Sequence, residues 1–215
     1  MVPDFFDHWL TSRLPETATL WLRQQCGNDQ EARFFLAFSA CARHCRGSFT
    51  PSQAELGEAQ QVCHDWQPVC WTLTDLARAR LLLARCAHGT APASLLADLA
   101  STADLGENLS LYRSLCLLPQ PDTLQERASE GLRSNVIDVF EAVACDNPYP
   151  HDHLSQAAWN QMILKAFFIG CDVDRIVGLR QRGNPELHRM LQQYADERRA
   201  ANRDIDPRLF HLMDT

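Results

Sequence analysis

Lysine is almost missing from this chain: of 20 basic residues all but one, Lys165, are arginine. Nor is there a stretch with the period-two alternation of a half-buried strand, which excludes a sheet-based fold. No apolar run is long enough to span a bilayer, so direct membrane insertion is not expected. The phosphate-cradling G-x-x-x-x-G-K, the dinucleotide-binding G-x-G-x-x-G and the nucleophile-bearing G-x-S-x-G are all absent, which removes three large enzyme classes. None of the ten glutamates has a histidine three residues later, so the helical di-iron pattern fails. Asp196-Glu197 is the one pair of adjacent acids, too little for the aspartate-rich metal motif of an all-α terpenoid enzyme. The opening Met-Val-Pro-Asp-Phe-Phe-Asp has no basic segment ahead of an apolar one, so no secretory leader is expected and the cytoplasm is the expected location. The nine cysteines, odd in number and without framework spacing, then read as reduced thiols buried like small hydrophobes.

What is present is ordinary for a globular protein: 215 residues, 46% hydrophobic and 22% charged, enough for one core and one domain over residues 1–215. A net charge of -7 argues against a general polyanion binder. The quarter from Arg175 to Arg208 is locally basic, with eight arginines against five acids. It lacks the interleaved aromatics on which bases stack, so solvated helix faces explain it and no nucleic acid is expected.

Helical periodicity runs through the whole chain. Short helices are expected over Phe5 to Leu14 and Glu16 to Gln25, then a wider apolar stripe over Gln30 to Arg46. Thr50-Pro51-Ser52-Gln53 reads as a helix start with proline in the first helical position. Thr72 caps a strongly amphipathic helix with Asp75 in its first turn. Helices follow from Pro92, over Glu107 to Leu118, from Asp122 to about Arg133 and over Asn135 to Cys145. Asn147-Pro148-Tyr149-Pro150 is expected as a non-helical turn. It feeds a central helix from His153 or Leu154 to Gly170 whose apolar residues cover nearly every angle, the mark of a helix enclosed by others. Asn184-Pro185 caps a last long helix. The fold class is all-α, either a multi-helix antiparallel bundle or a short HEAT-like stack of helical hairpins.

Within the central helix, Lys165 stands between Leu164 and Ala166 with Phe167 and Phe168 following. An ammonium can lose its proton when desolvated and a guanidinium cannot, so this is where an amine nucleophile, a base or a ligand-pairing charge would stand. A structural ion pair or a snorkelling stem fits the same residue. Gln161 lies one turn earlier on the same face and Asn160 about 100° to one side. Arg180, Arg182 and Asn184 ahead of Pro185 offer guanidinium groups and helix-terminal amides to an anion, or Asn184 is simply a cap. Cys41, His44 and Cys45 with Cys63, His64 and Cys70, and separately His151-Asp152-His153, have atoms suited to a metal. They lack paired C-x-x-C knuckles, and Asp152 suits a helix start. No metal or cofactor is expected.

Asn135, Phe140-Glu-Ala, Asn147-Pro-Tyr-Pro, Trp159-Asn-Gln-Met, Leu164-Lys-Ala-Phe-Phe-Ile-Gly, Gly178-Leu, Arg182-Gly-Asn-Pro-Glu-Leu and Tyr194-Ala-Asp-Glu-Arg resemble the EboA family of bacterial proteins. The resemblance runs from about Leu105 to Leu209, and includes Leu111-Tyr112-Arg113 and Leu117-Leu118-Pro119; the N-terminal third is similar only in helical rhythm. The family's last helix tends to read Tyr-Ala-His-Glu-Arg-Trp, where this chain has Asp196 and Arg199, so any role of those two positions does not carry over. The resemblance implies an accessory protein of the ebo gene cluster, in secondary-metabolite processing or traffic towards the periplasm. Its implied partners are other cluster proteins, a TatD-like hydrolase or a prenyltransferase-like membrane protein. It brings no catalytic residues, and the absence of catalytic motifs leans the same way. The candidate binding residues are Asn160, Gln161, Lys165, Arg182, Asn184 and Glu197, and two readings stand: protein–protein docking, or a small molecule or substrate held at Lys165 in an apolar pocket.

Overall fold

In the computed structural model, residues 5–213 are described. Met1 to Asp4, which carry part of the leader reading, and the last two residues lie outside that range. The described residues fold into thirteen α-helices with four short 3-10 turns and no strand, so the fold is all-α. A lone bridge between Ser48 and Thr72 is the one extended pairing among them. In chain order the helices are α1 Phe5–Thr11, α2 Glu16–Cys26, α3 Glu31–His44, α4 Gln53–Val62, α5 Leu73–Ala87, α6 Pro92–Ala100, α7 Leu105–Arg113, α8 Gln125–Arg133, α9 Ile137–Ala144, α10 Tyr149–His153, α11 Gln156–Ile169, α12 Pro185–Ala200 and α13 Arg208–Met213.

The hub is α5. It packs on α1, α2, α3 and α7, and its side chains from Leu73 to Ala84 are almost all buried. α7 in turn packs on α9, and α9 on α8. Buried apolar side chains form one continuous cluster from Phe6 to Leu212. At its N-terminal end Phe6, Trp9, Phe49, Trp66 and Trp71 close ring against ring, and the Trp9 indole N–H donates to Glu58 Oε2 at 2.7 Å.

The expected central helix, α11, is not enclosed. It packs chiefly on α12, and Ala157, Gln161 and Phe168 on one of its faces are exposed. Apolar composition all round tells that a helix prefers burial; it does not tell whether a neighbour arrives to supply it.

Other departures from the expected boundaries have local causes. Ser52, not Thr50, caps α4: its hydroxyl accepts from the Glu55 amide while the Glu55 carboxylate accepts from the Ser52 amide, a reciprocal arrangement that outweighs the generic preference for proline in first position. α7 starts earlier than expected because Asp104 and Glu107 form the same kind of box; it stops at Arg113 and tightens into a 3-10 turn over Leu115–Leu117. The Asn147-Pro-Tyr-Pro segment leads into a short helix, α10, because Pro150 stands in its first turn, where a missing N–H leaves no bond unmade. α11 starts after Ser155, whose hydroxyl accepts from the Ala158 amide.

Candidate functional site: the Lys165 hollow

Lys165 stands where α11 crosses the end of α8. The last carbonyls of an α-helix have no partner within it, and here two of the chain's carbonyls at the end of α8 receive the lysine. Nζ donates to Leu132 O at 2.6 Å and to Ser134 O at 2.8 Å, and lies 5.3 Å from the centre of the Phe140 ring. A cation at a helix C-terminus is favoured by the dipole, and one over a ring face by the ring's quadrupole. Burial pulls the ammonium below the usual lysine range. No carboxylate pairs with it among the described residues. The structural ion pair considered from the sequence is therefore replaced by a charge-assisted tie to backbone carbonyls.

Beside Lys165 lies an open hollow of about 540 Å³ between α8 and α11. Leu132, Ala158 and Met162 line it with carbon, and Ser129, Arg133, Gln161 and Lys165 add polar groups. Its volume falls in the range of small-molecule sites. Of the six residues named from the sequence, Gln161 and Lys165 line this hollow.

Three others meet elsewhere. Asn160, 2% exposed, and Asn184 exchange amide hydrogen bonds at 3.1 and 2.9 Å. Asn184 Oδ1 also accepts from the Leu187 amide at 3.0 Å, so it is the cap of α12. Arg182 donates to the carbonyls of Pro150, His151 and Leu154 at 2.7 to 3.0 Å and lies over the Trp159 ring. These side chains tie α10, α11 and α12 together; the guanidinium faces carbonyl oxygens rather than an anion. Gly178 belongs to the same tie. It has φ +74, and a Cβ there would come within 1.9 Å of the His151 ring. Glu197 is exposed on α12 and does not line the hollow. Asp196 and Arg199, the two departures from the family pattern, pair with each other at 2.7 Å.

Sequence reading missed a second feature, a polar crevice of about 300 Å³ whose lining includes Cys70, Arg113, Glu141, Asp146 and Arg175. Arg175 donates to Asp146 Oδ2 at 3.0 and 2.7 Å and to Glu141 Oε2 at 3.0 Å, while Arg113 donates to Asp75 at 2.8 Å. Its two cations are thus engaged by the protein's own acids. The residues are scattered over four elements and share no spacing that a sequence pattern would reveal. Arg189, Arg199 and Arg208 of the basic quarter are paired with acids in the same way.

The cysteine and histidine clusters divide rather than converge, and no group of three suited to a metal occurs among the described residues. His151 turns to Asp152 and His153 to Asp122. All nine thiols are free. Cys145 and Cys171 lie 3.3 Å apart in the core, and burial raises Cys26 and Cys86 to about 11. Five of the nine depart from the expected burial: Cys70 is exposed, and Cys26, Cys63, Cys86 and Cys116 are half-buried. Titration of the native protein with an aromatic disulfide reagent should therefore show Cys70 reacting first, a phase absent in Cys70→Ser, with the four half-buried thiols slower and the four buried ones reacting on unfolding. An unchanged first phase in the Cys70→Ser variant would contradict this order of exposure.

The family model described as metabolite traffic protein EboA matches residues 2–214. The chain belongs to the EboA family. The match extends the resemblance from the C-terminal half to the N-terminal helices, including the aromatic cluster around Trp9 and Trp66. No curated protein and no solved structure matches the chain. Family membership makes this a metabolite traffic protein. No helix among the described residues is long and apolar enough to cross a membrane.

Proposed function

We propose that this EboA-family chain acts in metabolite traffic as a non-catalytic accessory protein, docking other proteins of the ebo cluster from the cytoplasmic side and serving movement of a secondary metabolite towards the periplasm. The observation that carries this reading is the apolar surface around the Lys165 hollow. Phe168, 68% exposed, follows Lys165 by one turn, and Val136 and Ile137, 46% and 52% exposed, follow Ser134, whose carbonyl the lysine holds. Large apolar side chains held in water on the segments that Lys165 ties together support an interaction surface there. A TatD-like hydrolase and the prenyltransferase-like membrane protein are the partners to test.

Calorimetric titration with each partner, the membrane protein in detergent, should give micromolar or tighter binding to at least one. Phe168→Glu should weaken it by about tenfold or more, the effect of losing an apolar anchor, without lowering the melting temperature. Absence of binding to both partners at tens of micromolar would end the docking reading. A second reading, a small molecule held at Lys165, is favoured by the hollow itself.

A further inference from the structure

We infer that the hollow between α8 and α11 is a binding site for a small amphiphilic anion, its apolar body on Leu132, Ala158 and Met162 and its anionic head between Lys165 and Arg133. The inference rests on the second, small-molecule reading and adds the chemical class of the ligand.

Charge supplies the first argument. The chain carries -7 overall, yet the lining of the hollow includes two cations, Arg133 and Lys165, and no carboxylate. Elsewhere arginines with nearby acids are paired, as Arg113, Arg175 and Arg208 are. Arg133, exposed on the last turn of α8, makes no side-chain hydrogen bond or ion pair among the described residues. A neutral or cationic ligand would leave both cations without a counter-ion, and a carboxylate or sulfonate would supply one.

Donor geometry supplies the second. An ammonium has three N–H donors, and Lys165 spends two on Leu132 O and Ser134 O. The two acceptors hold the lysine in the lining of the hollow and leave its third N–H without a protein oxygen to accept it among the described residues. Arginine at this position would spread its donors over a planar fork, so a point charge on a flexible stem suits the place. This gives a reason why the chain's one lysine stands here. The carbon lining from Leu132, Ala158 and Met162 supplies the apolar part of the recognition, with Gln161 able to donate or accept at the rim.

The probes are 1-anilinonaphthalene-8-sulfonate, an apolar body with an anionic head, and N-phenyl-1-naphthylamine, its uncharged counterpart. The sulfonate should bind one-to-one and about tenfold or more tighter than the neutral dye. Lys165→Met and, separately, Arg133→Glu should each remove most of that preference. Arg133 is exposed and unpaired, so its variant keeps the test valid if Lys165→Met disturbs the fold. Because the chain has a single lysine, 15N-lysine labelling gives one side-chain signal, and the bound sulfonate should raise the Lys165 pKa while the neutral dye does not. Equal affinity for the two dyes, a preference untouched by both variants, or an unmoved lysine pKa would each overturn the inference. Failure here leaves the docking reading intact, since that reading is tested with whole partners and through Phe168.

Discussion

Asp75→Ala should lower the unfolding free energy by about 4 kcal/mol, near the middle of the range for removing one member of a buried ionic network. Asp75 is 3% exposed. Its Oδ2 accepts from the Thr72 amide, the Thr72 hydroxyl and Arg113 Nη1, each at 2.8 Å, and its Oδ1 accepts from the Ser110 hydroxyl at 2.7 Å. One carboxylate thus closes the N-terminus of α5, the helix on which α1, α2, α3 and α7 pack, and binds α7 through two side chains. Arg78, also 3% exposed, extends the network by donating to Phe38 O and to Ser110 at 3.2 Å. Truncation would remove the Asp75 half of the capping box at Thr72 and leave the part-buried Arg113 without its carboxylate and Ser110 with only the Gly106 carbonyl. For a chain of this length that is a melting-temperature fall of about 10 °C. Asp75→Asn, which keeps one acceptor oxygen, should lose less. Urea unfolding checks both, and a loss under about 1 kcal/mol for Asp75→Ala would show that water replaces the missing carboxylate.

Stability should also fall in acid through Glu55. Arg13 grips its carboxylate at 2.6 and 2.8 Å, and the Ser52 amide donates to it at 2.7 Å. The Arg13 hydrogen bonds, acting against burial and helped by Ser52, lower the Glu55 pKa from 4.5 to about 2. The folded state therefore binds this proton less readily than the unfolded chain. The resulting stability is fully present above 4.5 and is lost as pH falls towards 2. A shift of that size corresponds to about 3 kcal/mol for this largely buried group. Other carboxylates titrate in the same window, so the informative quantity is the stability difference between the wild type and Glu55→Gln. It should shrink by about 3 kcal/mol between pH 6 and pH 2; a pH-independent difference would mean that Arg13 does not hold the carboxylate as the geometry implies.

These two residues differ in how far they were legible. Thr72 as a cap with Asp75 in the first turn follows from local chemistry, because both partners of the box lie within four residues. That Asp75 also accepts from Ser110 and Arg113 has no local signature, since those donors arrive from α7. Glu55 was hidden behind Pro51, a generic start signal one residue before the real cap. The candidate site divides in the same way. Asn184 as a cap and Gly170, at φ +73, as a helix end were legible. That Arg182 faces Pro150, His151 and Leu154 carbonyls, or that Lys165 caps the end of α8, depends on residues 28 to 33 positions away in the chain.

The sequence by itself determined the all-α class, most helix positions and the family, because helical periodicity, caps and family motifs are properties of neighbouring residues. Tertiary structure decided which apolar helix is the hub, which arginines are already engaged and which residues border the hollow. α11 is richer in apolar residues than α5, yet α5 is the one surrounded, because burial depends on what packs against a helix as well as on what the helix contains. Lys165 shows the same limit: its place in an apolar run was visible, but its two carbonyl partners and the unneutralised charge beside the hollow arise only where α8 and α11 meet.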